Sequence, residues 1–346
     1  MRRPRARGMR LLMWAAVACT IGTADPASGP SFEWHLPRGF PTPAVPADNP
    51  MSTVKVDLGR RLFFEPRLSV TGRYSCASCH DPAKAYTDGR PVAIGANGDA
   101  LPHSAMSLIN VAYNISYGWT KLEPQTLETQ MLTPLLNEHP VELGVSGRQS
   151  AVCDLLAAEP SYRAAFVAAF PREEQPVTFQ NLIKAIAAFE RTLIYGNSPF
   201  DQYVFGGDHS AISEQAKRGM ALFYSTRGAC GTCHSGLNFS GNWRDAQGDT
   251  GKPAFANNGT SDRLIRVPTL RNIALTAPYM HDGRFPTLED VLNHYARVAE
   301  RRLGDSRLQS FDLSPDERAE VIAFLETLTN PDLARAYAAA VPAPGR

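Results

Sequence analysis

The chain has 346 residues, of which 43% are hydrophobic and 20% are charged, and its formal net charge is +1. This is the composition of a globular protein, and the length favours two domains rather than one. Loss of residues 1–24, which hold five arginines and no acid, would reduce Lys plus Arg from 35 to 30 against 34 Asp plus Glu, a net charge near −4. That charge argues against a nucleic-acid partner.

The N-terminus has the pattern of an export signal. Five arginines in the first ten positions precede an apolar run, Leu11–Ile21, and the small residues 22–24. This arrangement predicts a secretory signal peptide over residues 1–24 and a periplasmic protein. The apolar run is shorter than the roughly 20 residues of a membrane-spanning helix, so we expect no integral membrane segment. An uncleaved anchor and a lipid on Cys19 are the alternatives.

The mature chain shows mainly helical patterns. Residues 25–50 are rich in proline, glycine and small residues and predict an irregular N-terminal arm. Apolar spacing then predicts helices at 54–64, 125–136, 148–158, 160–170, 178–195, 213–224, 287–298 and 314–328. The last of these opens on Ser314 as a capping box. Residues 235–261 are expected to form a loop, and because strand patterns are scarce, the predicted fold class is mainly α.

Four of the six cysteines form two matching motifs. Cys153 stands alone and Cys19 belongs to the leader. The motifs are Cys76-Ala77-Ser78-Cys79-His80 and Cys230-Gly231-Thr232-Cys233-His234. In a C-x-x-C-H motif the two thiols bind the vinyl groups of a haem and the histidine binds the iron from one face. Two copies on an exported chain predict two covalent c-type haems, whereas a disulfide, a redox pair or half a zinc site are the alternatives.

A predicted helix precedes each motif, which indicates two related modules. We expect an N-terminal haem domain over 51–205, a C-terminal cytochrome c domain over 206–335, and a tail over 336–346. Histidine ligation leaves the second face of each iron to be settled. Two filled irons would only transfer electrons, whereas an open iron could bind peroxide.

The motifs resemble those of the di-haem cytochrome c peroxidases and, more closely, the MauG-like enzymes. The resemblance covers roughly residues 54–330. It rests on Ser75–Ala83, Trp119, Leu136-Asn137, Pro140–Glu142, Val267–Ile273 and Ala277–Gly283. It implies two cytochrome c-like domains, each with one covalent haem, and it places Arg271 of the Val267–Ile273 segment at the second haem.

The second haem's far-side ligand separates the two groups of enzymes. In the peroxidases a methionine follows the histidine that matches His281 by fourteen residues, and in MauG-like enzymes a tyrosine does so; here this position is Tyr295. Independently, Leu288, Val291, Leu292 and Tyr295 share one helical face. A phenolate is a hard anionic donor that favours oxidised over reduced iron. We therefore expect Tyr295 to bind the second iron, although an ordinary buried tyrosine is the alternative.

The first haem is expected to be open on its far side. Alignment with the peroxidases puts Ala96 in place of their distal histidine, and alanine cannot bind iron. His103 is the nearby rival ligand, with a pocket or surface histidine as its other interpretation. Glu142 matches the carboxylate that moves a proton between the peroxide oxygens.

Further pocket residues follow from the resemblance. Gln130 and Pro134 match residues of the peroxide pocket in MauG-like enzymes. The sequence departs from the family pattern here, because Glu138 and His139 form an apparent two-residue insertion between Asn137 and Pro140. This insertion puts in question whether the Glu142 carboxylate reaches the iron. Trp119 matches the tryptophan that lies between the two haems.

The family also binds calcium between its domains. The resemblance assigns the main-chain carbonyls of Thr276 and Pro278 as ligands. The family's asparagine ligand aligns with Ser104, which is a poorer oxygen donor for a hard cation.

The function implied is that of a MauG-like, H2O2-dependent oxidase. Its haem pair is expected to hold two oxidising equivalents in a paired high-valent, bis-Fe(IV)-like state and to draw electrons from a protein partner. The pattern is most like the methanobactin-associated branch of the family, which the resemblance implies converts a tryptophan of a secreted partner to kynurenine. An MbnP-like copper-binding protein is therefore the expected partner. The alternatives are a di-haem peroxidase served by a small redox protein and an electron-transfer cytochrome with both irons six-coordinate.

Overall fold

A computed structural model describes residues 32–120, 123, 125–241, 244–249, 255–256, 264–301, 306 and 311–333. The predicted signal peptide at 1–24 and tail at 336–346 lie outside these residues. Residues 32–50, the described part of the predicted arm, contain turns but neither helix nor strand. This agrees with the irregular structure expected from their proline content.

Within the described residues, six α-helices lie between positions 53 and 190 and form the first half of the fold. They are α1 (Thr53–Phe63), α2 (Cys76–Cys79), α3 (Leu127–Leu136), α4 (Gln149–Ala157), α5 (Pro160–Ala169) and α6 (Phe179–Glu190). The predicted helices here are confirmed, but the expected helix 178–195 was too long. The helix ends at Glu190, and the hydroxyl of Thr192 donates to the Phe189 carbonyl at 2.7 Å, as a β-branched side chain at a helix end can do.

The second half is also helical, with short strands. Its helices are α7 (Pro199–Asp201), α8 (Glu214–Tyr224), α9 (Leu288–Glu300) and α10 (Pro315–Glu326), and its strands are β1 (Arg244–Asp245), β2 (Gly248–Asp249), β3 (Phe255–Ala256) and β4 (Ile265–Arg266). Strand β1 pairs antiparallel with β2 and β3 with β4, partly within the predicted loop. The Ser314 capping box is confirmed. The mainly α fold class is confirmed.

The two halves share one packing feature. In the first half, α1 crosses α6 so closely that a methyl group on Gly59 would lie 1.9 Å from the Ala185 carbonyl oxygen. In the second half, α8 crosses α10, and a methyl group on Gly219 would lie 1.8 Å from the Glu320 carbonyl oxygen. In each case the glycine belongs to the helix that leads into a cysteine motif. The shared crossing supports the internal repeat that the two motifs indicated.

The buried apolar residues form two clusters. One is built mainly from α1 and α3–α6, and its centre includes Leu62, Phe63 and Phe166. The other is built mainly from α8–α10, with Phe223 and Phe324 in edge-to-face ring contact at 5.2 Å. The domain boundary between residues 205 and 206 stays a prediction. Across the described part of the chain, each helix is too short or too polar to cross a bilayer.

Candidate haem sites

The two cysteine motifs place their histidines in the same way. The Nδ1 atom of His80 lies 3.0 Å from the Tyr86 carbonyl oxygen, and the Nδ1 atom of His234 lies 2.8 Å from the Phe239 carbonyl oxygen. A backbone carbonyl accepts only from a protonated ring nitrogen, so each contact places the proton on Nδ1 and leaves the lone pair of Nε2 to bind a metal ion. This is the arrangement that an axial histidine of a haem requires.

The residues that carry those carbonyls are themselves unusual. Tyr86 and Phe239 are fully buried and have φ angles of 59° and 50°, in the left-handed region that bulky residues rarely adopt. Sequence reasoning missed both. The available signal was an aromatic residue six positions after the first motif histidine and five after the second.

A cavity lies beside the second motif. Cys230, Cys233 and His234 line one part of it, and the four predicted residues of α9 line another: Leu288, Val291, Leu292 and Tyr295. Most of the other lining side chains are apolar. Thiols for two thioether bonds, an oriented imidazole and apolar walls fit a covalent haem. The structure thus brings Tyr295 and His234 to one cavity, while the ligand role of Tyr295 stays a prediction.

The tyrosine hydroxyl is in a dry environment. Burial raises the pKa of Tyr295 above its usual range, and negative charge at Cys230 and Cys233 would act in the same direction. A neutral phenol is therefore the stable form when no cation is near. A bound ferric iron would supply that missing positive charge.

The first motif has Glu142 as its neighbour. The Ala96 amide donates to the Glu142 carbonyl oxygen at 2.7 Å, and Ala96 is buried. Burial, together with the charges of Asp88 and Glu142, raises the pKa of the Cys79 thiol to about 11. The main chain of Glu142 thus contacts the residue aligned with the distal histidine, and its carboxylate acts on the Cys79 thiol. The reach of that carboxylate to the first iron stays a prediction.

Helix α3 contributes the other two predicted pocket residues. Gln130 and Pro134 are four positions apart and so share one face of the helix. The Pro134 carbonyl accepts from the Leu143 amide at 2.8 Å, which fixes α3 against the segment that carries Glu142. The Gln130 Oε1 atom is buried and accepts no hydrogen bond from the described residues. An orphaned acceptor of this kind fits a pocket that receives a polar ligand.

Trp119 lies at the cavity of the second motif. Its indole Nε1 donates to the Ser104 carbonyl at 2.9 Å, and its ring centroid is 6.3 Å from that of His281. His103 in turn packs edge-on against His281 at 5.4 Å. Both interpretations of His103, a haem ligand and a pocket or surface histidine, stay predictions. The assignment of Trp119 as the connection between two haems stays a prediction.

The expected calcium ligands lie near one another but fit poorly. Ser104, Thr276 and Pro278 all line the same cavity. The Ser104 hydroxyl donates to the Met280 carbonyl at 3.2 Å, and its oxygen lone pairs remain as one neutral ligand. The three residues offer only neutral oxygens, whereas calcium takes six to eight ligands and often carboxylates. The residues present do not make a convincing calcium site.

Arg271 is held by the protein itself. Its guanidinium makes two 3.0 Å bonds to the Asp201 carboxylate, and its Nε donates to the Leu237 carbonyl at 2.6 Å. Only 2% of its side chain is exposed. Arg271 lines the cavity, but its charge is neutralised by Asp201. Arg271 therefore positions the 237–239 segment, which carries the Phe239 carbonyl. The sequence did not predict Asp201 as its partner.

Comparison with known proteins identifies the family. A family model described as di-haem cytochrome c peroxidase matches residues 53–209. The methylamine utilization protein MauG of Methylorubrum extorquens is 35% identical over 92% of this chain and 94% of its own length. The cytochrome c551 peroxidase of Pseudomonas aeruginosa is 32% identical over 81% of this chain and 80% of its own length.

A solved structure gives the same result. A MauG-like protein associated with microbial copper homeostasis superposes with a TM-score of 0.81 and 36% identity over 88% of this chain and 97% of that chain. A diheme peroxidase of Burkholderia thailandensis, at 20% identity and a TM-score of 0.64, shares the fold. The chain belongs to the MauG and di-haem cytochrome c peroxidase family, which implies two c-type haems and makes it an oxidoreductase that acts on peroxide.

Proposed function

We propose that this chain is a MauG-like oxidase that uses hydrogen peroxide to modify a tryptophan of a secreted partner protein, with kynurenine as the product. The observation that carries the proposal is that Tyr295, rather than a methionine, shares the cavity with His234. Haems bound at the two motifs would reduce peroxide to water and keep the two oxidising equivalents until a protein donor supplies two electrons.

The residues around the first motif suit the peroxide step. Ala96 offers no side chain that could block the far side of an iron held by His80. Glu142, next to Ala96, would take a proton from one peroxide oxygen and return it to the other, so that the O–O bond breaks with loss of water. Gln130 and Pro134 would shape the pocket in which peroxide is held.

The residues around the second motif suit storage of oxidising equivalents. An anionic oxygen ligand from Tyr295 disfavours reduced iron, in contrast to a thioether sulfur. The indole of Trp119, fixed by its bond to Ser104, would carry charge between the two sites. Electrons then reach the first site from a donor that never enters the peroxide pocket.

The partner is proposed from the likeness to the copper-associated structure. The solved MauG-like protein is associated with microbial copper homeostasis. A secreted copper-binding protein of the MbnP type is therefore the proposed substrate. The leader predicted over residues 1–24 would put the encounter in the periplasm. Conversion of one tryptophan to N-formylkynurenine is a four-electron oxidation that consumes two peroxides, each of which takes two electrons and two protons and gives two waters. Two water molecules supply the added oxygen atoms at the partner, and hydrolysis then gives kynurenine and formate.

The test is a product analysis. Purified holoenzyme, peroxide and the copper-binding protein are mixed, and the partner is examined by peptide mass spectrometry. A mass change on one tryptophan, absent without peroxide and absent with Tyr295→Phe, is expected. An unmodified partner in the presence of an enzyme that consumes peroxide would contradict the proposal.

A second candidate is a di-haem peroxidase that detoxifies peroxide. It is favoured by the 32% identity to the cytochrome c551 peroxidase of Pseudomonas aeruginosa. Tyr295 and Ala96 argue against it. Rapid steady-state peroxide reduction with reduced cytochrome c as the electron donor would establish this candidate in place of the first.

A further inference from the structure

Arg266 is a buried cation that the described protein does not neutralise. It lies on β4, is 7% exposed and lines the cavity that contains His234 and Tyr295. Its Nε donates to the Gly118 carbonyl at 3.2 Å, and its Nη2 lies 3.4 Å from the Met106 sulfur. Both acceptors are uncharged. No carboxylate among the residues that the structure describes forms an ion pair with Arg266, and its Nη1 makes no hydrogen bond to them.

The other buried arginines are treated differently. Arg271 lines the same cavity and is paired through two bonds with Asp201. Arg191 pairs with Glu128 at 2.7 Å. Because a buried charge is costly unless an opposite charge accompanies it, the lone guanidinium of Arg266 calls for an anion from outside the polypeptide.

The effect of this isolation is visible in the electrostatics. Burial lowers the pKa of Arg266 to about 10, and Tyr117 opposes that shift only in part. An arginine with a carboxylate partner would show the reverse, as Arg284 does beside Asp282, where the hydrogen bond to that carboxylate raises the pKa.

The position of Arg266 indicates which anion is in reach. The Arg266 amide donates to the Trp119 carbonyl at 2.8 Å. Two residues further along the chain, the Pro268 carbonyl lies near the His234 ring, because it acts on that imidazole together with the Phe239 carbonyl. The segment that carries Arg266 therefore runs beside the second motif, on the side of Trp119.

We propose that Arg266 binds a carboxylate at the inner edge of this cavity, and that the carboxylate is a propionate of the second haem. A planar guanidinium presents parallel N–H groups that match the two oxygens of a carboxylate. The pairing neutralises both charges in an apolar cavity and fixes the haem edge beside Trp119. This inference depends on haem binding at the second motif but not on the partner that is oxidised.

The test compares Arg266→Gln with Arg266→Lys in the holoenzyme. Covalent attachment of both haems is first verified by intact mass. Loss of the cation next to an ionised propionate should shift the reduction potential of the second haem to lower values in Arg266→Gln, while Arg266→Lys retains most of the wild-type potential. The exposed Arg218→Gln serves as the control, because Arg218 pairs with Glu320 on the surface. Equal potentials in wild type and Arg266→Gln would overturn the proposal.

A second measurement works even if Arg266→Gln does not fold. The propionate bending band in the resonance Raman spectrum reports hydrogen bonding to that carboxylate, so it should move between wild type and Arg266→Lys. An unmoved band would count against the proposal. A free anion is distinguished by titrating the wild-type protein with sodium chloride and then with sodium phosphate at fixed ionic strength. A saturable change in the reduction potential of the second haem would assign the site to a free anion and overturn the proposal. An unchanged reduction potential supports the propionate. These shifts do not depend on oxidation of a partner, so failure of this inference and failure of the proposed function are distinguishable.

Discussion

Replacing Asp201 with alanine should be strongly destabilising, because it leaves Arg271 as a buried cation without a partner. Both side chains of the ion pair are at most 3% exposed, and two 3.0 Å bonds join them. Breaking a buried pair by removing one partner costs about 3–5 kcal/mol, most of it the penalty of the unpaired charge. The Asp201 carboxylate also accepts a hydrogen bond from the Ser198 amide at 3.0 Å. Because Asp201→Ala loses this bond as well, the loss of stability should be at least the lower end of that range.

The free energy of unfolding of Asp201→Ala is measured by guanidinium denaturation of the holoprotein, followed by circular dichroism. The double variant Asp201→Ala with Arg271→Met removes the buried charge as well and should recover part of the loss. Glu214→Gln, which breaks only the exposed pair with Lys217, is the matched control and should leave the midpoint unchanged. A loss below about 1 kcal/mol in Asp201→Ala, the size of an exposed ion pair, would refute the reasoning.

Three further predictions concern the two haem sites and the buried carboxyl of Glu190. Tyr295→Phe removes one oxygen and little volume, so both haems should remain attached, but the protein should no longer retain two oxidising equivalents after peroxide addition in stopped-flow spectra; retention would remove Tyr295 as a ligand. Glu142→Gln should slow the reaction with peroxide by about 10²-fold, since it cannot move a proton; an unchanged rate constant for that reaction would exclude Glu142 from the step. Burial raises the pKa of Glu190 to about 8, so the folded state binds one more proton than the unfolded state between the ordinary carboxyl pKa and about pH 8. Stability should therefore fall as pH rises through that window, and Glu190→Gln should flatten the dependence of the denaturation midpoint on pH; identical slopes in both proteins would contradict it.

Local signals account for what the sequence predicted correctly. The C-x-x-C-H spacing, the helical periodicities and the capping box at Ser314 are each set by residues within one or two turns. The face of α9 that carries Tyr295 follows from the same periodicity, and its four residues line the cavity together. Features of this kind are encoded in neighbouring residues and need no knowledge of the tertiary structure.

Contacts between distant segments could not be predicted in this way. Asp201 and Arg271 are seventy residues apart in sequence, and no periodicity links them. The bond between Ala96 and the Glu142 carbonyl depends on how a loop packs against the end of α3. The carbonyls that orient His80 and His234 depend on left-handed residues, Tyr86 and Phe239, whose conformation is imposed by tertiary packing.

The end of α6 also could not be predicted from local sequence. The apolar pattern continues beyond Glu190, so periodicity alone extended α6 to residue 195. The chain instead turns there, and Arg191 pairs with Glu128 of α3. The end of α6 therefore coincides with a long-range ion pair that helical periodicity does not encode.

The electron paramagnetic resonance spectrum of the ferric holoprotein tests the central claim most directly, because it reports the coordination of each iron separately. The proposal leaves the iron of His80 open on the side of Ala96 and assigns Tyr295 and His234 to the other iron, so one high-spin signal from a five-coordinate haem and one low-spin signal from a His/Tyr haem are expected. Two low-spin signals and no high-spin signal, or a low-spin signal of a His/Met haem, would contradict it.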